Sequence, residues 1–379
     1  MKLSDNQEAF LELLRAGLWA DAGFTEAGSQ GFTESRNLGG AGNVDWNEVY
    51  RLAEEQAVVG LVAAGLDHVH GVKIPQEGVL QFVGTALRIE QRNVEMNAFV
   101  VQLNRRLWEN RIYGLLVKGQ GVAQCYERPL WRTCGDVDLL LDEDNYEKAK
   151  ALLIPLADEV EDEDPVKKHQ ALIIKGFDVE LHGKMPFALS RKADKVIDSV
   201  IDDSLKQGGA RDWSYKNSDI YLPNADNDVI IVFTHFLHHF FIEGVGLRQV
   251  CDWCRLLWTY KDSLNHGLLE SRIRKMGLMS EWKAFYNLAS RYLGMPDLDS
   301  RFMFHDSKFD KKADGILELV LESGNFGHNK DLSYRSRYSG LTYKIVAAWR
   351  RLKDFASLIP VFPLDAPRFY VTYVMGKVK

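Results

Sequence analysis

The chain has 379 residues, 46% hydrophobic and 26% charged, with a formal net charge of -6. That length calls for two domains, or three, and the composition is that of globular protein rather than a disordered or fibrous chain. The mild negative charge argues against a dedicated DNA or RNA binder, which would carry a strong basic excess, and leaves room for a small basic groove.

The N-terminus, Met1-Lys2-Leu3-Ser4-Asp5-Asn6-Gln7-Glu8, turns acidic at once and lacks a signal-peptide core. From a cap at Ser4 or Asp5, Phe10, Leu11, Leu13, Leu14 and Leu18 recur at helical spacing. Residues 24–44, rich in Gly, Ser, Asn and Thr, predict a long loop. A second helix is expected from Asp45, with Val49, Leu52, Ala53, Ala57 and Leu61 on one face, and a third from about Pro75 to Ile112.

The pattern then changes. Leu115-Leu116-Val117 and Val137 to Leu141 are short continuous apolar runs, the mark of buried strands. Between them Val122 to Tyr126 predicts a short helix, and Asn145 to Leu156 a longer one after them. The acidic stretch Asp158 to Asp164 is expected as a solvated turn. Ala171 to Ile174 and Phe177 to His182 form a hairpin about Lys175-Gly176. From Lys192 onward the chain reads as mostly helical, with an apolar segment Val229 to Phe241 carrying His235, His238 and His239, and a further helix at Leu247 to Tyr260. The last fifty residues mix aromatics with Arg335, Arg337, Lys344, Arg350, Arg351 and Lys353, most simply an amphipathic helix with solvated basic ends. The expected fold is α+β and predominantly helical: a helical region at 1–112, a small mixed α/β core at 113–190, and a helical domain at 191–379.

No apolar window of about eighteen residues exists to span a membrane, and four cysteines do not make a disulfide framework, so a cytoplasmic protein is expected. Cys251 and Cys254 fall inside a helical apolar pattern and are expected as core rather than as half of a zinc site.

Residues two apart on a strand point to the same side, so Asp136 and Asp138 project together while Val137, Leu139 and Leu141 face the other way. Two such carboxylates repel unless a cation lies between them, and hard oxygen ligands suit Mg²⁺. Alternation also places Asp178, Glu180 and His182 on one face of their strand; Glu180, in the middle, is the expected third acid. Gly119 and Gly121 follow a strand and precede a helix, where backbone N–H groups can approach phosphate, and Lys118 and Arg132 are candidate triphosphate ligands. His182 is a candidate base or orienting group. His235 or His239, with Arg248, is expected on the acceptor side, against the simpler expectation that Arg248 and Asp252 form a helix-surface pair.

The run Lys118-Gly119, Arg132, Gly135-Asp136-Val137-Asp138-Leu139-Leu140 and Val179-Glu180-Leu181-His182 resembles the nucleotidyltransferases related to DNA polymerase beta, and most of all a bacterial group known as the uncharacterised nucleotidyltransferase family. Fainter similarity covers Asp45-Trp46 to Leu66 and His235 to Asp252. The resemblance implies a small mixed sheet with a glycine motif at Gly119, a metal pair at Asp136 and Asp138, and a third carboxylate at Glu180, together holding two Mg²⁺ ions. It also implies nucleotide contacts from Lys118, Gly119, Gln120 and Arg132. Where the superfamily usually carries Gly-Ser or Gly-Gly, this chain has Gly119-Gln120. The long interval from Gly119 to Asp136 resembles the antibiotic nucleotidyltransferases and abortive-infection toxins more than the polymerases. The implied reaction moves a nucleoside monophosphate from an NTP, foremost ATP, to an acceptor hydroxyl on a small molecule, protein or RNA. A toxin acting on the tRNA 3′ end and a nucleotide-binding protein without turnover are the alternatives.

Overall fold

A computed structural model describes residues 2–20, 44–69, 74–206, 208–296, 298, 307–330, 337 and 340–377. The predicted loop at 24–44 lies outside these residues except for Val44, as does Arg335. The chain is predominantly helical around a small mixed sheet, as its sequence implies.

Helix α1 (Asp5–Leu18) opens with a reciprocal capping box between Ser4 and Gln7 and buries Phe10, Leu11, Leu13, Leu14 and Leu18. The helix predicted from Asp45 is two helices, α2 (Trp46–Glu55) and α3 (Val59–Gly65). Ala57 adopts a positive φ of 56°, which ends α2 and turns the chain so that every residue of α3 is buried. Helices α1 and α3 cross at Gly17 and Gly65: a Cβ at either would meet a backbone oxygen of the other helix, Leu61 O at 1.9 Å or Leu13 O at 2.0 Å. Helix α4 (Gln76–Glu109) runs 34 residues, about 51 Å of rise, and joins two cores. Its Phe82 and Ala86 enter the helical core, while Met96, Phe99, Leu103 and Leu107 enter the core beneath the sheet.

The sheet has five strands: β1 (Gly114–Val117), β2 (Asp136–Leu141), β3 (Glu159–Val160), β4 (His169–Ile174) and β5 (Phe177–His182), in the order β1-β2-β5-β4-β3. Only β2 and β5 pair in parallel; the other neighbours are antiparallel. Helix α5 (Gly119–Ala123) follows β1, and α6 (Glu143–Leu153), capped by Asp142, follows β2. The β4–β5 hairpin turns at Lys175 and Gly176, both at positive φ, as a two-residue loop with matching twist requires. The acidic stretch predicted as a turn contributes edge strand β3, and Asp164 bridges to His169. An edge strand needs only its main chain to pair, so its acids stay in solvent and leave no apolar signature.

After α7 (Arg191–Ser204) comes a hairpin that the helical reading of this region did not include: β6 (Ala210–Tyr215) and β7 (Ser218–Pro223). Its turn, Lys216-Asn217, has two positive φ values, and Trp213, Ile220 and Leu222 join the core under the sheet. Helices α8 (Ala225–Ile242), α9 (Leu247–Thr259), α10 (His266–Met276), α11 (Met279–Tyr292) and α12 (Ser307–Ser323) follow, then α13 (Gly340–Leu358) and α14 (Asp365–Lys377). They share one hydrophobic core with α1–α3. On α13, Phe355 and Leu358 are buried while Ile345, Trp349 and Leu352 are exposed. No helix of the described residues is long and apolar enough to cross a membrane. All four cysteines are free, and Cys251 and Cys254 are fully buried in α9.

Candidate active site

One face of the sheet (Leu116, Val137, Leu139, Val179, Leu181, Leu172) is apolar and packs on α4 and α6. The other carries the chemistry. The parallel register sets Asp138 opposite Glu180 and Asp136 opposite Asp178, and β4 sets His169 opposite His182. Carboxylate oxygens of Asp136, Asp138 and Glu180 lie within 4.8 Å of one another. These acids border a cavity of about 330 Å³, a volume suited to a small ligand, with Lys118, Arg248 and His235 on its other walls.

Lys118 reaches this face through an uncommon backbone conformation, φ 58° and ψ -145°, followed by Gly119 at φ 37°. A Cβ at Gly119 would stand 3.2 Å from Asp136 O, so the turn both needs a left-handed residue and lies directly on β2. The Lys118 ammonium sits 2.7 Å from Asp138 Oδ1 and 3.3 Å from His235 Nε2. Burial opposes its charge, but the field of Asp138, Asp136 and Glu180 outweighs burial and raises its pKa. Burial and the neighbouring ammonium push His235 well below the usual imidazole range, so its ring is neutral and accepts from Lys118.

His182 Nε2 lies 2.7 Å from Asp138 Oδ1 and 3.3 Å from Glu180 Oε2. Burial works against its protonation, but the bonds to Asp138 and Glu180 prevail and raise its pKa. Desolvation would raise Glu180, yet hydrogen bonds from His169 and His182 hold it far below the carboxylate range. Asp136 is shifted the opposite way: repulsion by Asp138 first, and burial second, raise it. The donor set fits a hard divalent cation on two observations: the oxygens converge, and Asp138 Oδ2 is buried with no hydrogen-bond partner.

The remaining predicted residues divide. Arg132 is buried, and Asp252 takes its guanidinium from Nε at 2.9 Å and Nη2 at 2.5 Å. Its Nη1 donates to Thr133 O and Cys134 Sγ, so this arginine anchors the segment leading into Asp136. Asp252 is therefore not the surface partner of Arg248. Arg248 is half-buried, donates to Thr133 O at 2.9 Å, and keeps a buried Nε without a partner while bordering the cavity. Gln120, expected at the nucleotide, directs its side chain away from the cavity to Asn93 and Cys134. His239 Nε2 stands 3.1 Å from His235 Nε2, behind the wall, and His238 turns to Phe187 O.

The sequence profile of the uncharacterised nucleotidyltransferases matches residues 42–294, two thirds of the chain, and spans every strand described above. The chain belongs to that family. No curated protein and no solved structure matches it. One residue of the site, His169, escaped the sequence reading, and Asp252 was assigned the wrong partner. The apolar run starts the strand at Ala171, although β4 starts at His169; period-two alternation from Ala171 was the available signal. By helical spacing Asp252 is a surface partner of Arg248; its charge between the apolar Cys251 and Trp253 was the available signal of a buried ion pair.

Proposed function

We infer that this protein transfers a nucleoside monophosphate from an NTP, with ATP the foremost donor, to an acceptor hydroxyl, releasing pyrophosphate. The observation that carries this reading is the register: Asp138 faces Glu180 across β2 and β5, with Asp136 beside them, at the floor of a cavity walled by Lys118 and Arg248. Asp136, Asp138 and Glu180 would hold Mg²⁺, which when bound supplies charge neutralisation on the phosphate oxygens.

The chain's own groups do the rest. Glu180, held ionised by His169 and His182, accepts the proton of the acceptor hydroxyl as that oxygen bonds to the α-phosphorus and the bond to the β-phosphate oxygen breaks. Lys118, Arg132 and Arg248 are cations that border the cavity; with Arg132 held by Asp252, the unpartnered Nε of Arg248 favours it for direct phosphate contact. Arg132, occupied by Asp252, supports the same phosphates by fixing the Thr133–Gly135 segment. Gln120 acts through its backbone position at the start of α5. His235 borders the cavity on the acceptor side and orients Lys118, with His239 packed behind it. A cytoplasmic site of action follows from the NTP donor.

The test is incubation of the purified chain with α-labelled nucleotides, Mg²⁺ and cell extract, alongside Glu180→Gln. Label moving to a small molecule or protein, needing Mg²⁺ and falling at least about a hundredfold in the variant, is the expected result. Label in RNA redirects the reading to a tRNA-modifying toxin. No transfer by the wild-type chain overturns catalysis and leaves a nucleotide binder.

A further inference from the structure

Beside the three carboxylates lies a second convergence of a different chemical kind. His169 on β4 and His182 on β5 are a directly opposed cross-strand pair, with ring centroids 4.9 Å apart. Both direct Nε2 at the same atom, Glu180 Oε2, at 3.2 and 3.3 Å. One nitrogen from each imidazole and one oxygen from Glu180 lie within 4.8 Å of one another.

These separations are those of ligands around an ion. Donors about 2.1 Å from a metal and about 90–110° apart stand roughly 3.0–3.4 Å from each other. The ligand set also differs from that of the carboxylate trio. Imidazole nitrogen suits first-row transition ions, whereas Mg²⁺ takes oxygen. Access is available, because His169 and Glu180 both border the cavity and are each 31% exposed in their side chains.

We propose that His169, Glu180 and His182 form a transition-metal site, for an ion of the Zn²⁺ class, adjoining the Mg²⁺ site and sharing Glu180 with it. On binding, each imidazole gives up its Nε2 proton, to Nδ1 or to solvent, so that the lone pair turns to the ion. Asp138 Oδ1, 2.7 Å from His182 Nε2, then borders the ion rather than the ring proton. The open positions of a three-ligand site face the cavity, which is where a phosphate or acceptor oxygen would complete the coordination. The site stands whether or not the chain transfers nucleotides, since its test reads binding alone.

The experiment takes the full chain stripped with chelator and titrates it with Co²⁺ followed by its visible absorption, and with Zn²⁺ by calorimetry, in excess Mg²⁺. His169→Ala and the shape-retaining His169→Gln are compared with Asp136→Asn, and circular dichroism checks that each variant is folded. The wild type and Asp136→Asn should bind one Zn²⁺ that Mg²⁺ does not displace, with a Co²⁺ spectrum of nitrogen coordination. Both His169 variants should bind at least about tenfold more weakly. A wild type that prefers Mg²⁺, His169 variants that bind as well as wild type, or binding lost only in Asp136→Asn would each overturn the proposal.

Discussion

Asp252→Asn changes one charge and one hydrogen-bonding atom in the interior with almost no change in side-chain volume, so its effect reads the buried network that holds Arg132. In the wild type, Asp252 accepts from Arg132 Nε and Nη2 and from the Tyr126 hydroxyl, the last at 2.7 Å. Asparagine keeps a single acceptor oxygen for these three donors and turns an N–H₂ toward one of them. Arg132 is 3% exposed, so its charge has no water to fall back on. Leaving a buried ion without its counter-ion costs roughly 3–5 kcal/mol, a large part of the ~5–15 kcal/mol of a typical fold. Chemical denaturation of wild type, Asp252→Asn, Arg132→Met and the double variant, followed by tryptophan fluorescence, gives the cycle. The single variants should each lose stability on that scale and the double variant should regain part of it, because it contains no uncompensated charge. Mg²⁺ binding should weaken too, since Arg132 fixes the segment that delivers Asp136. A loss below about 1 kcal/mol in Asp252→Asn, or strictly additive effects, would refute the assignment of Arg132 and Asp252 as the anchor.

In chelator, Asp136→Asn should be more thermostable than wild type. Its carboxyl is raised by Asp138, so the group stabilises the fold below its unfolded pKa and that contribution is lost as pH rises through the folded one. Added Mg²⁺ should raise the wild-type melting temperature and leave the variant nearly unchanged; equal responses would count against the carboxylate site. Glu281, on α11, is buried beside Asp365 of α14, and burial first, Asp365 second, push it up to about 8. The stability it provides is complete below about pH 4.5 and disappears as pH rises through 8. Glu281→Gln should therefore melt higher than wild type above pH 8, by roughly a few kcal/mol of stability, and a pH–stability profile unchanged by the substitution would exclude this. Gly17→Ala drives a methyl into Leu61 O at the α1–α3 crossing and should cost at least about 1–3 kcal/mol. A wild-type melting curve for that variant would show that the crossing is looser than described.

Much of this protein was open to reading along the chain because the relevant physics is local. Period-two alternation alone put Asp136 with Asp138 and Glu180 with His182, since successive strand side chains take opposite faces whatever the partner strand. Helical spacing located α1, with its cap, and α4 in the same way, and the apolar runs marked β1 and β2. Hairpin β6–β7 was less visible: Trp213, Tyr215, Ile220 and Leu222 do alternate around Lys216-Asn217, but charged residues between them diluted the signal.

What only tertiary structure decided is every meeting of residues distant in sequence. Strand pairing, not composition, set Asp138 beside Glu180 and His169 against His182. Docking of α9 against α5 and the segment before β2 turned Asp252 from an apparent surface partner of Arg248 into the buried counter-ion of Arg132, 120 positions away. The packing of α8 brought His235 to Lys118. A side chain's face is dictated by its own backbone, but its neighbour across a gap depends on register and helix docking, which are settled by burial of apolar surface spread over the whole molecule.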